Sequence, residues 1–171
     1  DRHLRASMEE TFREFHRRTG ATFVYVTHDQ EEAMALATHI AVMHNGELMQ
    51  WGEPNELYHQ PKNAWVASFI GQGSILDLAL GEVPSSVTRD VLHKGWNAQH
   101  DNGMQNVLIR PQHVKIGVDG IDAIVESSVY QGERYLVKLS LPNGQSLEAY
   151  HSLSLKPQER VSVVLEQGWV L

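Results

Sequence analysis

His28 is the residue whose type and position point most directly to chemistry. It follows an apolar run at residues 22–26 and precedes the polar sequence Asp29-Gln30-Glu31-Glu32. An imidazole can donate an N–H or carry a proton near neutral pH. In open α/β sheets ligands bind beyond the carboxyl ends of the strands, so His28 would face a ligand if residues 22–26 form a strand. The alternative is a histidine that only fills the junction, and position alone does not decide between the two.

The other reactive side chains do not form a catalytic or metal-binding pattern. The nine remaining histidines include no pair at helical i, i+3 or i+4 spacing, so we predict no metal site. Glu31 and Glu32 are consecutive, so on a helix their side chains diverge, and we interpret them as favourable charge at a helix N-terminus. No glycine is followed by lysine, which excludes a G-x-x-x-x-G-K-[ST] phosphate loop in this chain.

Composition limits the partners and the compartment. The chain has 171 residues, a formal net charge of −7 and no block of lysine or arginine, which argues against nucleic acid as a partner. The absence of cysteine excludes disulfides and cysteine-ligated zinc and agrees with a reducing cytoplasm. The sequence begins at Asp1 and leads directly into an amphipathic pattern, so we expect a fragment of a longer protein.

The elements around His28 are predicted from periodicity. Leu4, Met8, Phe12 and Phe15 recur at helical spacing, and Gly20 is suited to end that helix. Residues 22–26 are β-branched or aromatic without alternation, which predicts a strand buried on both faces in a parallel sheet. Asp29 with Glu32 three residues later predicts a capping box at the start of the next helix.

A hairpin and two short helices are expected next. After them the sequence pattern changes from helical periodicity to strand-like alternation. Asn45-Gly46 between residues 39–44 and 47–51 is a strong hairpin signal. We place a domain boundary at the turn-rich residues 71–74, giving domains 1–71 and 72–171. Beyond residue 71 helical periodicity disappears, and alternating runs such as 135–141 and 161–166 predict a small β-barrel or sandwich.

Several segments resemble one protein family. The stretch Tyr25-Val26-Thr27-His28-Asp29-Gln30-Glu31-Glu32-Ala33-Met34 resembles the switch-histidine segment of ABC-importer ATPases of the sugar, iron, polyamine and sulfate class. Residues 1–5 resemble the end of the D-loop, and residues 41–47, 52–58 and 69–71 resemble later segments of the same ATPase domain. Ile109-Arg110-Pro111-Gln112-His113-Val114 resembles the transport-associated OB-type (TOBE) domain. The resemblance covers essentially the whole chain.

The resemblance implies a fold and two site residues. The fold would be an α/β remnant of a P-loop ATPase domain at 1–71, followed by an all-β OB-like barrel of TOBE type at 72–171. His28 would contact the γ-phosphate of ATP and help hold the attacking water, and Asp1 would reach across the ATPase dimer. ATP and Mg²⁺ would be cofactors of the full-length parent, a transport ATPase. This chain lacks the Walker A, signature and Walker B motifs, so we expect it to be inactive alone and to bind no cofactor.

The resemblance also implies partners. The parent would form a homodimer, engage permease subunits on the cytoplasmic face of the inner membrane, and serve a periplasmic solute-binding protein indirectly. By this resemblance, residues 69–73 favour ferric iron as the transported solute. The alternative is a regulatory, small-ligand-binding β-barrel module with no enzymatic role. An OB-fold that binds nucleic acid is disfavoured by the net charge and by the lack of interleaved basic and aromatic residues.

Overall fold

The computed structural model describes residues 2–98 and 103–171. The α-helices within these residues are α1 (Arg2–Thr19), α2 (Gln30–Leu36), α3 (Pro54–His59), α4 (Ala64–Ile70) and α5 (Arg89–Asn97), and a 3-10 helix spans Pro111–His113. The strands are β1 (Ile40–His44), β2 (Glu47–Gly52), β3 (Ser74–Ala79), β4 (Ser86–Thr88), β5 (Met104–Ile109), β6 (Val114–Tyr130), β7 (Tyr135–Ser140), β8 (Ser146–His151), β9 (Arg160–Leu165) and β10 (Gln167–Val170). No helix among the described residues is both long and apolar enough to cross a membrane.

The predicted end of the first helix and the predicted start of the second are both confirmed. Helix α1 stops where Gly20 adopts a φ of 65° and donates its N–H to the His16 carbonyl at 2.8 Å. Only a residue without a Cβ adopts this conformation at little cost. Helix α2 begins after Asp29, whose Oδ1 accepts the backbone N–H of Glu32 at 3.1 Å. This bond satisfies one of the N–H groups that every helix leaves unpaired at its start.

The prediction of a buried strand at residues 22–26 is wrong. The structure pairs this segment with no strand of the described residues, and Val24 and Val26 are 91% and 89% exposed. A strand forms only where a neighbour accepts its backbone hydrogen bonds. In the absence of that neighbour, Phe23 and Tyr25 of this segment pack against the aromatic side chains of α1.

The predicted hairpin is confirmed. Strands β1 and β2 pair antiparallel, and the two turn residues Asn45 and Gly46 have φ angles of 50° and 83°. Two consecutive positive φ values give the turn whose twist matches that of the strands. The inward face of this hairpin packs against α3 and α4 in one apolar cluster. Its buried members are Ile40, Val42, Leu57, Val66 and Ile70.

The rest of the chain is built from two antiparallel four-stranded sheets. Their strand orders are β3-β5-β10-β4 and β8-β7-β6-β9. Leu76, Val107 and Ile109 of the first sheet share one buried cluster with Val137 and Leu147 of the second. The alternation predicted for residues 135–141 is confirmed, since the odd-numbered residues from Val137 to Leu141 are buried. The two sheets therefore give the predicted OB-like architecture. We refer to residues 74–171 as the all-β part after these sheets, although it also contains helix α5.

Helix α5 corrects the prediction that helical structure ends at residue 71. It follows β4 and buries Leu92 and Gly95, with Val91 and Trp96 packed against the same core as the sheets. These four residues lie at i, i+1, i+4 and i+5, which is a helical pattern. The pattern covers fewer than three turns and contains a glycine, so it is a weak signal in the sequence.

Candidate functional site

His28 lies in a bend between residues 22–26 and the N-terminus of α2, and its side chain is exposed. The prediction placed it at a junction between a strand and a capped helix. The structure has the capped helix but, on the N-terminal side, an irregular segment without a strand partner among the described residues. The imidazole therefore faces outwards and is free of the apolar cores, as a group that meets an external ligand must be.

Hydrogen bonds on both sides of His28 hold the bend. The Thr27 hydroxyl donates to Glu32 Oε2 at 2.9 Å, and the backbone N–H of Asp29 donates to Thr27 Oγ1 at 3.0 Å. The Tyr25 hydroxyl donates to the same Glu32 oxygen at 3.0 Å, and this bond raises the pKa of the Tyr25 phenol. The Glu32 carboxylate, which was predicted to complete the capping box, accepts from Thr27 and Tyr25 and so anchors the segment that leads into His28. The bend is fixed by its neighbours rather than by the histidine.

Helix α1 supports this arrangement from one side. Phe15 and Phe23 lie edge to face with ring centroids 5.4 Å apart, and the Phe12 centroid lies 6.0 Å from that of Tyr25. Such aromatic pairs stabilise by about 0.5–1.5 kcal/mol beyond the area they bury. Arg13 Nη2 also donates to the Ala35 carbonyl at 2.9 Å, which joins α1 to α2.

The second predicted site residue is Asp1. Asp1, predicted to act across a dimer, lies outside the described residues. Among residues 2–98 and 103–171, no group of three or more histidine or acidic side chains is arranged to hold a metal ion. His28 is therefore the one predicted site residue whose surroundings the structure describes.

Arg110 is a residue to which the sequence assigned no role. Its side chain is only 3% exposed and binds backbone carbonyls: Nη1 donates to Gly71 and Gln72 at 2.9 Å each, and Nη2 donates to Tyr58 at 2.8 Å. Its guanidinium also lies 4.2 Å from the centroid of the Tyr58 ring. The available signal is an arginine directly after the apolar strand sequence of residues 107–109, a position where a buried charge needs a specific reason.

A cleft of about 300 Å³ opens between α5 and the β6–β9 pair. Its lining combines apolar side chains with charged ones. The lining residues are Arg89, Asp90, His93, Asp119, Gly120, Ile121, Val163, Val164 and Leu165. At residue 120 a Cβ atom would overlap the Val163 carbonyl, so glycine allows β6 to approach β9 closely there. A lining of apolar residues with a few polar groups is typical of small-ligand sites.

Comparison with known proteins gives matches to both parts of the chain. The TOBE domain family matches residues 107–170. A spermidine/putrescine import ATP-binding protein PotA from Borrelia garinii subsp. bavariensis is 33% identical over 173 residues, covering 97% of this chain and 49% of that protein. The homologue of the same name from Clostridium novyi is 36% identical over 143 residues, covering 79% of this chain and 40% of that protein.

A relative with a different named substrate matches as well. The Fe(3+) ions import ATP-binding protein FbpC from Fusobacterium nucleatum subsp. nucleatum is 34% identical over 157 residues, covering 86% of this chain and 42% of that protein. The chain spans about half the length of the curated relatives it matches. The relatives share the name of import ATP-binding protein, and the matches extend over residues 1–71 as well as the all-β part. The chain is therefore similar to import ATP-binding proteins over most of its own length, and its residues 107–170 match the TOBE domain family.

Proposed function

We propose that this chain supplies the switch-histidine end of the ATP-hydrolysing subunit that energises solute import by an ABC transporter. The observation that carries the proposal is the exposed His28, which lies in a bend held by hydrogen bonds among its neighbours Thr27, Asp29 and Glu32. A residue exposed at a rigid bend keeps its direction when a ligand arrives, so little reorganisation is needed. The names of the relatives support the transport role.

The proposed role of His28 is to bind the γ-phosphate of ATP and to orient the attacking water. An imidazole N–H is a suitable donor to the charge that spreads over the phosphoryl oxygens in the transition state. ATP and Mg²⁺ would be held mainly by a phosphate loop and a Walker B acid, which residues 1–171 do not contain. Asp1 is proposed to reach across a homodimer of the complete subunit.

The proposed partners follow from the same role. The complete subunit would bind permease subunits at the cytoplasmic face of the inner membrane, where a periplasmic solute-binding protein delivers solute from the other side. We place the boundary between the ATPase part and the TOBE-type part at residues 71 and 72. Two separate buried clusters support this boundary, one ending at Ile70 and the other beginning at Leu76.

The transported solute is proposed to be ferric iron or a polyamine. Residues 69–73 favoured iron, and the relatives include proteins named for Fe(3+) and for spermidine and putrescine. The test is uptake of radiolabelled ferric iron and spermidine by cells that lack the complete subunit and are complemented with it. Restored uptake of one solute supports the proposal and names the solute. Unchanged uptake of both, with the subunit expressed, would reject both candidate solutes.

A second candidate function is regulatory binding of a small ligand by the all-β part. The observation that favours it is the cleft beside α5, whose lining includes Arg89, His93 and Asp119. Calorimetric titration with phosphate, as an anion probe, and with spermidine, as an amine probe, tests it. Saturable binding that is lost in Arg89→Ala or Asp119→Asn supports a ligand site. Heats of dilution alone for both probes would remove this candidate.

A further inference from the structure

Arg110 is a buried cation whose counter-groups are carbonyls. Within the described part of the chain it forms no ion pair with a carboxylate. Its hydrogen bonds all go to backbone oxygens of residues 58–72, with Ala67 accepting from Nη1 at 3.2 Å in addition to Tyr58, Gly71 and Gln72. A buried charge costs several kcal/mol unless its donors are satisfied. The guanidinium therefore needs the carbonyls of residues 58–72 to satisfy its donors. Those carbonyls in turn use the guanidinium as a hydrogen-bond donor.

The carbonyls that bind Arg110 lie at the ends of two helices. Tyr58 is in the last turn of α3, Ala67 is in the last turn of α4, and Gly71 is the residue that caps α4. The last carbonyls of a helix have no partner within the helix and carry its partial negative charge. Two short helices thus point their C-terminal ends at one cation. Arg110, which follows strand β5, caps both of them at once.

Two glycines allow the backbone to come this close to the Arg110 side chain. A Cβ atom at Gly71 would lie 2.9 Å from Cε2 of Tyr58, and one at Gly73 would lie 2.9 Å from Cδ1 of Leu108 and 3.2 Å from Cδ of Arg110. Such distances are shorter than side chains normally tolerate. The glycines therefore let the backbone that leaves α4 pass directly over the Arg110 side chain.

Polar contacts around Arg110 join the same two parts of the chain. Gln112 Nε2 donates to the Tyr58 hydroxyl at 3.2 Å, and the Tyr150 hydroxyl of β8 donates to Gln72 Oε1 at 3.0 Å. On the far side, the buried Gln50 of β2 donates to the Gln60 carbonyl at 3.1 Å and accepts the Lys62 N–H at 2.8 Å. A continuous set of hydrogen bonds therefore runs from β2, through residues 58–72, to the all-β part.

We propose that Arg110 is the side chain that fastens α3 and α4 to the all-β part, so that a displacement of either sheet is transmitted through residues 58–72 to the β1–β2 hairpin. This coupling role is independent of ATP hydrolysis and of the identity of the transported solute. It makes residues 58–72 a mechanical connection between the two buried clusters rather than a flexible linker. Arg110 would act as a positioning residue, with no contact to ligand.

Amide hydrogen exchange of the 171-residue chain, read by mass spectrometry, tests the proposal with Arg110→Lys. Lysine keeps the charge but offers a single point of attachment, so it cannot reach all four carbonyls. We expect exchange in residues 58–72 to become about tenfold faster or more, a smaller increase in β1 and β2, and unchanged protection in β7 and β8. Arg160→Lys is the matched control, since it makes the same exchange of side chains at an exposed position of β9, and residues 58–72 should then change little.

Two results would overturn the proposal. Unchanged exchange in residues 58–72 would show that apolar packing alone holds α3 and α4. Equal loss of protection in β7, β8 and residues 58–72 would show that Arg110 belongs to the core of the sheets and fastens nothing. If Arg110→Lys does not fold, Gly71→Ala perturbs the same contact from the helix side by crowding Tyr58. It should give the local pattern of faster exchange, and a global pattern would again overturn the proposal.

Discussion

The indole of Trp169 donates its N–H to the carbonyl of Pro61 at 3.1 Å. Trp169 lies on β10, while Pro61 lies in the loop between α3 and α4. This bond joins the last strand of the chain to a segment more than one hundred residues earlier. The all-β part and the α3–α4 pair therefore share contacts other than those of Arg110, and their stabilities should be linked.

Replacing Trp169 with phenylalanine should destabilise the chain by about 1 kcal/mol. The hydrogen bond is lost and the carbonyl of the buried Pro61 loses this partner, which is the costly part of the change. Urea unfolding followed by far-ultraviolet circular dichroism measures the difference. Trp51→Phe is the control because that ring is 57% exposed, and it should change the unfolding free energy by less than about 0.5 kcal/mol. Equal effects of the two changes would contradict the linkage.

His113 should make the chain less stable in mild acid. Burial lowers the pKa of His113 below its ordinary 6.5, and nearby His59 and Lys115 lower it further, while Glu166 opposes them. The unfolded chain then binds the proton more readily than the folded chain. Stability is therefore complete above pH 6.5 and falls as the pH drops from 6.5 towards the lowered pKa of the folded state.

The variant His113→Gln isolates this contribution. Its melting temperature should decrease less than that of the unmodified chain between pH 7.5 and pH 5.5, since glutamine does not titrate. His93→Gln is the control, because it is an exposed histidine of the same part of the chain. Parallel decreases in the His113 variant and the unmodified chain would show that burial of His113 does not matter for acid stability.

Elements that depend only on residues close together in the chain could be predicted from the sequence. The Asn45-Gly46 hairpin, the Asp29 cap and the end of α1 at Gly20 depend on residues within one turn of each other, and all are present. The strand predicted at residues 22–26 does not form, because a strand there depends on a distant neighbour that a local pattern does not reveal. Arg110 was missed for the same reason, since its partners at residues 58–72 come together with it only in the folded chain.

Residues 22–26 should cause self-association of the isolated chain. Val24 and Val26 are almost fully exposed, and the segment's backbone has no strand partner among the described residues. An exposed apolar segment with free backbone groups is a template for pairing with a second copy. Light scattering after size exclusion, at tens of micromolar protein, should report a dimer or larger species.

Positive charge introduced at residues 22–26 should prevent the self-association of the chain. The double variant Val24→Lys with Val26→Lys should elute as a monomer, because lysine at a free edge discourages pairing. Val129→Lys on β6 is the control, since Val129 is 57% exposed but lies outside the segment, and it should leave the association unchanged. A monomeric unmodified chain that binds no hydrophobic dye would contradict this prediction.

The isolated chain should neither bind nor hydrolyse ATP at micromolar concentrations. No glycine in it is followed by lysine, so it has no phosphate loop to hold the β- and γ-phosphates. Titration with a fluorescent ATP analogue, with and without Mg²⁺, checks this directly. Saturable, Mg²⁺-dependent binding would show that the chain holds nucleotide by groups other than those of a phosphate loop.

The most direct test of the proposed function is ATP turnover by the complete subunit carrying His28→Ala. A γ-phosphate contact that strengthens in the transition state contributes a few kcal/mol, so turnover should fall by roughly a hundredfold or more. The Kd for ATP should stay within about threefold, because most ground-state binding comes from other groups. His16→Ala, an exposed histidine on α1, should keep the parental rate. Parental turnover in His28→Ala, with the protein folded and binding ATP, would contradict the assignment of His28 as the switch histidine.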